Sequence, residues 1–478
     1  MHTPGFGSMP MNAHGQAINR VKQLVSAGQF DSAVGVIEPL LKSDPRNPDL
    51  LRLLGFSLLM TGFAKQGQGH LRFASQLRPG DPEILCDLSV ANRWLGKTRD
   101  AYQAIDLALK SNPGHARALS TKARLLQSHG QSQQAIELLS DAMESTHNPS
   151  IAVIYAQLCR ELKQFSAGID ALKPFIADPS VQRSLRCEVL FAYGHLLDAV
   201  EDYDAAFQHF TLANAMGDEG GITDFGLIKE TWSPHVLAQI PTALIDTSRA
   251  VLVMGMPRSG TTLTEQIIAA HPAGDSVGES PSVYDIMYEK TPSSFDQEGV
   301  SQAASVYMQM LDTRVPDSSI KRVCDKMPEN YMHLGAISRF LPNAKIIHST
   351  RNARDTCLSI YFQNFASMIR YARDIEMIAK QYLGYLDLME YWNEHLGIDI
   401  LDSSYEDLTA NPDKQIKVLI EHIGLPFDQA CLEFHASKKT VNTASATQVR
   451  QPLYQTSTHR WKHYEKHLGP MLEVLGDL

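Results

Sequence analysis

The stretch "VLVMGMPRSGTTLTEQIIAAHP", Val251–Pro272, decides the fold of the second half of the chain. With Ala250, its first residues form an apolar run of the length of a buried strand. Pro257-Arg258-Ser259-Gly260 breaks that run, and apolar residues return at helical spacing after Thr261. A strand that turns through glycine into a helix offers backbone N–H groups and the positive end of the helix to an anion. Ser259, Thr261 and Thr262 add hydroxyl donors, Gly260 permits close backbone approach, and Arg258 adds a fixed cation. The segment therefore reads as an anion cradle.

Outward from the cradle, strands and helices alternate. "AVLVMG" (250–255), "KIIHST" (345–350) and "DILDSSY" (399–405) read as parallel strands, with helices predicted over Ala353–Tyr371 and Asp374–Leu396. That pattern predicts an α/β layer structure, in which ligands bind outside the carboxyl ends of the strands. The spacing from Gly255 to Gly260 is that of a nucleoside-triphosphate loop, yet Thr261 stands where the loop lysine belongs. The second predicted strand ends in His348-Ser349-Thr350-Arg351, with no carboxylate for Mg²⁺. A kinase or NTPase reading is therefore disfavoured.

"PRSGTT" resembles the phosphosulfate loop of sulfotransferases, which use 3′-phosphoadenosine-5′-phosphosulfate (PAPS) and release 3′,5′-adenosine bisphosphate. "STRNARDTCLSIYFQ" (349–363) is similar to the family's second signature, with Arg351 after a strand and Ser359 eight residues on. The resemblance implies that Arg351 and Ser359 grip the nucleotide 3′-phosphate and that Arg258, Ser259, Gly260, Thr261 and Thr262 hold the other end. Gly278-Glu279 in "DSVGES" (275–280) resembles the Gly-Glu of tyrosylprotein sulfotransferases, which implies Glu279 as general base. No histidine stands in the Lys-x-His-Leu-Pro setting of the cytosolic small-molecule enzymes. The same resemblance implies that Lys326, in "CDKMP", steadies the moving sulfuryl group and that Arg258 neutralises the leaving 5′-phosphate. Tyr405, in "SSYEDL", lies beside the nucleotide by the same resemblance. "TASATQVRQPLY" followed by "HRW" resembles the family's end segment. It puts Ser445 on the catalytic-site serine and Arg460 in place of a phosphate-binding lysine. Lysine and arginine supply the positive charge, so no metal is expected.

The first half repeats itself. Gly28, Gly62, Gly96 and Gly130 are 34 residues apart, each followed five residues later by Ala33, Gly67, Ala101 or Ala135. Pro45, Pro79 and Pro113 follow the first three at a constant offset. The glycine ends one helix in a left-handed conformation, the small residue lets the next helix approach, and proline closes the unit. The period resembles the tetratricopeptide repeat over about residues 16–215, roughly six units. The expected organisation is a disordered lead at 1–15, a helical solenoid at 16–215, a Gly-rich linker at 216–248 and a P-loop-like α/β sulfotransferase domain at 249–478. The combination resembles bacterial tetratricopeptide-repeat sulfotransferases. Such stacks make concave surfaces for proteins or peptides.

Composition bounds the rest. A net charge of -10 over 478 residues argues against nonspecific nucleic-acid binding, so an anionic ligand needs a local basic pocket. One basic stretch exists: 438–466 holds Lys438, Lys439, Arg450, Arg460, Lys462 and Lys466 against Glu465 alone. Six dispersed cysteines lack metal or redox spacing and predict thiols in a reducing cytoplasm. The N-terminus lacks secretory patterning, and no apolar run reaches the roughly 20 residues of a membrane helix. The leading expectation is a PAPS-dependent sulfotransferase, acting on a protein tyrosine or on a sugar or lipid hydroxyl. The alternative is a repeat-based interaction scaffold with an inactive or merely nucleotide-binding domain. The sequence leaves the acceptor, the ligand of the repeats and a homodimer open.

Overall fold

The computed structural model describes residues 11–26, 28–217, 220–288, 290–365, 369–436 and 458–478. The chain divides into two compact units, Met1–Asp202 and Tyr203–Leu478.

The first unit is built of helical hairpins. Helices Pro48–Met60 and Ala64–Leu77 form one, Pro82–Trp94 and Thr98–Ser111 the next. The 34-residue glycines sit at the tight turns, with φ of 89° at Gly62 and 68° at Gly96. A Cβ on Gly67 would lie 2.5 Å from Gly55 O, so the small residue is what lets the paired helices touch. Helices Pro48–Met60, Pro82–Trp94, Ala116–Ser128 and Pro149–Glu161 each open on a side-chain cap. The Asn47 side chain accepts from the amides of Asp49 and Leu50 at 3.1 Å, with Pro48 at the first helical position. Where the period loosens, the turns use Lys163 (φ 58°) and Glu201 (φ 64°) in place of glycine.

Three boundaries differ from expectation. Helix Met11–Ser26 starts inside the predicted lead. Helix Tyr203–Asn214, read from its repeat-like pattern as part of the solenoid, belongs to the second unit. There Phe210 stacks on Phe362 with centroids 4.0 Å apart, which no repeat period encodes. The predicted linker is also core: Phe225 and Trp232 are buried. Phe225 lies against Gly384 and Trp232 against Gly335, two places where a Cβ would clash.

The second unit centres on a fully parallel five-stranded sheet. Its strands are β1 (Ala250–Met254), β2 (Gly274–Gly278), β3 (Arg322–Lys326), β4 (Lys345–Thr350) and β5 (Ile400–Ser404), in the order β2-β3-β1-β4-β5. The chain leaves β1 toward β2 on one side and later crosses to β4 on the other. The crevice at the carboxyl end of β1 is thus the topological switch point. β1 is buried at every residue. Helix Thr261–Ala270 covers one face through Leu263, Ile267 and Ile268. Alternation turns His348 to the opposite face, where its imidazole meets the Tyr385 hydroxyl of helix Ile375–His395. The helix predicted to reach Tyr371 ends at Tyr361. Phe362 instead turns into the aromatic cluster with Phe210 and Tyr464.

Candidate active site

The cradle loop is shaped by three left-handed residues: Gly255 (φ 147°), Arg258 (φ 70°) and Gly260 (φ 105°). A Cβ at Gly255 would strike Ser349 O, and one at Gly260 would lie 3.1 Å from Tyr405 Cδ2. Both positions need glycine for space as well as for φ. Arg258 has no such exemption, and a non-glycine residue held there costs about 1–3 kcal/mol. The Thr264 and Ser349 hydroxyls meet at 3.2 Å and pin the helix to β4. Ser259 is buried, and its Oγ has no hydrogen-bond partner among the described residues. A buried unsatisfied hydroxyl at a helix N-terminus is a donor awaiting an acceptor.

The second signature closes on the first. Arg258 Nε donates to Ser359 Oγ at 3.0 Å, and Arg351 Nη1 donates to Arg258 O at 3.2 Å. The Arg351 guanidinium lies over the Tyr405 ring, 5.0 Å from its centroid. Arg258, Ser259, Gly260, Thr261, Arg351, Ser359 and Tyr405 thus form one constellation, with Thr262 beside Thr261 in the first turn of the helix.

Beside it lies an acid–base cluster. Lys326 ends β3 with its side chain wholly buried, and its Nζ is ion-paired with Glu279 Oε1. The register places Lys326 opposite Val253 of β1, so the pair stands next to the cradle. Glu279 follows β2 and keeps 44% of its side chain exposed. Asp325, the neighbour of Lys326, points to the other face and accepts from Tyr307 OH at 2.8 Å. Burial pushes its carboxyl up to about 7. Burial also raises Glu329, helped by the nearby charge of Glu279.

The tail is tied to the helix that bears Ser359. Asp355, on that helix, accepts from the backbone N–H of His459 at 2.6 Å and of Trp461 at 3.0 Å. Arg460, between them, sets its guanidinium over Phe362, 5.6 Å from the ring centroid. Ser445 lies outside the described residues. Sequence reasoning missed Glu265, Asp325 and Asp355. Each is a buried acid, and a lone acid in an apolar helix or strand pattern carries no motif.

No group of three or more His, Cys, Asp or Glu suited to a metal ion occurs among the described residues, and no described helix is long and apolar enough to cross a membrane.

Residues 250–429 match the sulfotransferase family model, and residues 94–175 match that of anaphase-promoting complex, cyclosome, subunit 3. An uncharacterized protein of Aquifex aeolicus (strain VF5) is 32% identical over 413 residues, covering 80% of this chain and 54% of the relative. Protein-tyrosine sulfotransferase A of Caenorhabditis elegans is 25% identical over 200 residues, covering 39% and 52%. Protein-tyrosine sulfotransferase 1 of Danio rerio is 23% identical over 205 residues, covering 38% and 55%. The chain spans about half the length of these three relatives. Among solved structures, a thermophilic TPR protein of Thermus thermophilus aligns with a TM-score of 0.34 and 19% identity, over 37% of this chain and 98% of that one. The chain joins a helical-repeat region to an α/β domain that matches the sulfotransferase family model over residues 250–429.

Proposed function

We propose that this chain transfers a sulfuryl group from PAPS to an acceptor hydroxyl, with Glu279 as general base. The observation that carries the reading is the Lys326–Glu279 pair standing next to the cradle at the carboxyl ends of β1 and β3. The residues present fit the nucleotide. The unsatisfied Ser259 hydroxyl, the two glycines without room for a Cβ and the Arg258–Arg351–Ser359 cluster are the donors and clearances a doubly phosphorylated ligand needs.

When bound, the co-substrate supplies an electrophilic sulfuryl group with a phosphate as leaving group. Ser259, Gly260, Thr261, Thr262 and Arg258 would hold the phosphosulfate end. Arg351, Ser359, Tyr405 and Arg460 would hold the 3′-phosphate and adenine side. Glu279 takes the proton of the acceptor hydroxyl as its oxygen bonds to sulfur. Lys326 places its ammonium beside the sulfuryl oxygens and the bridging oxygen, whose bond to sulfur breaks. Arg258 meets the charge that collects on the departing phosphate. Ser445 would complete the site from the tail. The repeat region fits a protein or peptide partner, and a tyrosine acceptor is the version the protein-tyrosine sulfotransferase relatives favour.

Transfer of labelled sulfate from PAPS to a panel of tyrosine peptides, sugars and lipids tests the reading, with Glu279→Gln as control. The expected result is transfer to one class, abolished in the variant, while both proteins are stabilised by 3′,5′-adenosine bisphosphate and not by ATP with Mg²⁺. Stabilisation by the bisphosphate with no transfer to any acceptor would select the interaction-scaffold reading. An undiminished rate in Glu279→Gln would remove Glu279 as base.

A further inference from the structure

Glu265 takes no part in the chemistry described above, yet it is buried beside it. It sits four residues into the cradle helix, 5% exposed. Its Oε1 accepts from Ser276 Oγ at 2.6 Å, and Ser276 Oγ in turn accepts from the Gly278 amide at 2.9 Å. Oε2 lies 3.8 Å from Lys326 Nζ and has no hydrogen-bond partner among the described residues. One fully buried ammonium thus has two carboxylates, one deep and one half-exposed.

That asymmetry matters when the base works. Once Glu279 carries the acceptor's proton it is neutral and no longer a counter-ion. A buried ammonium without a counter-charge is strongly destabilised. Glu265 is the carboxylate that never meets solvent or acceptor, and its unsatisfied Oε2 faces the ammonium. Its Ser276 bridge reaches the amide one residue before Glu279, so helix, lysine and base loop share one support. The other titratable groups set against Lys326 are Asp325 and Cys324 on its own strand. Asp325 is turned toward Tyr307 instead.

We propose, resting on the sulfotransferase reading, that Glu265 is a positioning residue: the resident counter-ion that holds the Lys326 ammonium in place and charged while Glu279 leaves it to accept the hydroxyl proton. Glu265→Gln in the full chain keeps the shape and the acceptor for Ser276 and removes the charge. Its kcat is expected to fall about tenfold, the factor that goes with one unit of protonation equilibrium. The KM for PAPS stays near wild type. Glu265→Asp recovers part of the rate. An unchanged kcat, a loss carried by KM instead, or a loss that aspartate does not relieve would overturn the proposal.

A second readout needs no activity. Glu279→Gln mimics the protonated base, so a double-mutant cycle read by urea unfolding tests the counter-ion in the full chain. Glu265→Gln is expected to lower the urea midpoint more in the Glu279→Gln background than in wild type, because the buried ammonium then keeps no carboxylate. Ser276→Ala, which loosens the same packing but keeps the charge, shows no such coupling to Glu279→Gln. Equal losses in the two backgrounds, or the same coupling from Ser276→Ala, would overturn the proposal. Should the double variant not fold, Glu265→Asp is read in the same background, and a fold that aspartate does not restore overturns it likewise. A wild-type chain that transfers no sulfate fails the functional reading alone, since the unfolding cycle still decides the Glu265–Lys326 relationship.

Discussion

Arg258 donates to Ser359 Oγ across 3.0 Å, joining the cradle loop to a helix 101 residues further along the chain. Because Arg351 donates to the carbonyl of the same Arg258, one arginine ties both sequence motifs together. Two predictions rest on that junction.

Ser359→Ala removes the hydroxyl that steadies Arg258 and that the proposed function sets against the nucleotide. A hydrogen bond to a charged group is worth roughly 1.5–3 kcal/mol, so affinity for 3′,5′-adenosine bisphosphate should weaken by about one to two orders of magnitude. Titration calorimetry measures this. An affinity within twofold of wild type would mean that Ser359 does not touch the nucleotide.

Arg258→Gly separates stability from binding. Glycine relieves the left-handed backbone at φ 70° but loosens the unfolded chain and gives up the hydrogen bond to Ser359, so gain and loss offset and the net change in unfolding free energy should stay within about 1 kcal/mol. The stabilisation by bisphosphate should largely vanish. A large fall in melting temperature with ligand stabilisation intact would assign Arg258 to the fold instead of the site.

The sequence exposed what obeys a period or a motif. The turn glycines of the repeats and the β1 run rest on local chemistry and stand where that chemistry puts them, and Arg351 and Ser359 each meet Arg258. β2 and β3 went unread as strands because "GDSVG" and "RVCDK" do not look like buried strands. β3 hides Asp325 and Lys326, which meet Tyr307 and the two glutamates, residues distant in sequence. The early end of the helix at Tyr361 has the same origin. No glycine or proline stops it; Phe362 is drawn into an aromatic cluster that forms only in the folded unit. Burial of the 220–248 segment likewise follows from glycine clearances at Gly335 and Gly384, more than a hundred residues away.

Asp355 should prove to be the latch of the tail. It caps the amides of His459 and Trp461 from the helix that carries Ser359, and it is 2% exposed. Asp355→Ala leaves two donors without their acceptor, at a cost of about 1–3 kcal/mol for each that stays buried. Hydrogen exchange at those two amides should accelerate well beyond that of β1, and bisphosphate affinity should fall through Arg460. Asp355→Asn, which keeps one acceptor, should fall between. Unaltered exchange at His459 and Trp461 would show that the tail is held by other contacts.

Asp325 gives stability a pH dependence of defined sign. Its carboxyl titrates near 7 in the fold because burial disfavours the charge, against about 4 in an unfolded chain. Between those values the folded state binds the extra proton, so unfolding free energy falls as pH rises. The contribution is fully present below about pH 4 and lost by about pH 7, on the order of a few kcal/mol. Glu265 and Glu329 are raised by burial too and add slopes of the same sign. Asp325→Asn isolates the term, since asparagine still accepts from Tyr307 while carrying no proton to lose. Urea unfolding at about pH 5 and about pH 8 should show wild type losing more stability over that interval than the variant. Identical slopes would place the titration on other groups and leave Asp325 charged in the fold, held so by neighbours such as Lys326 and Arg314.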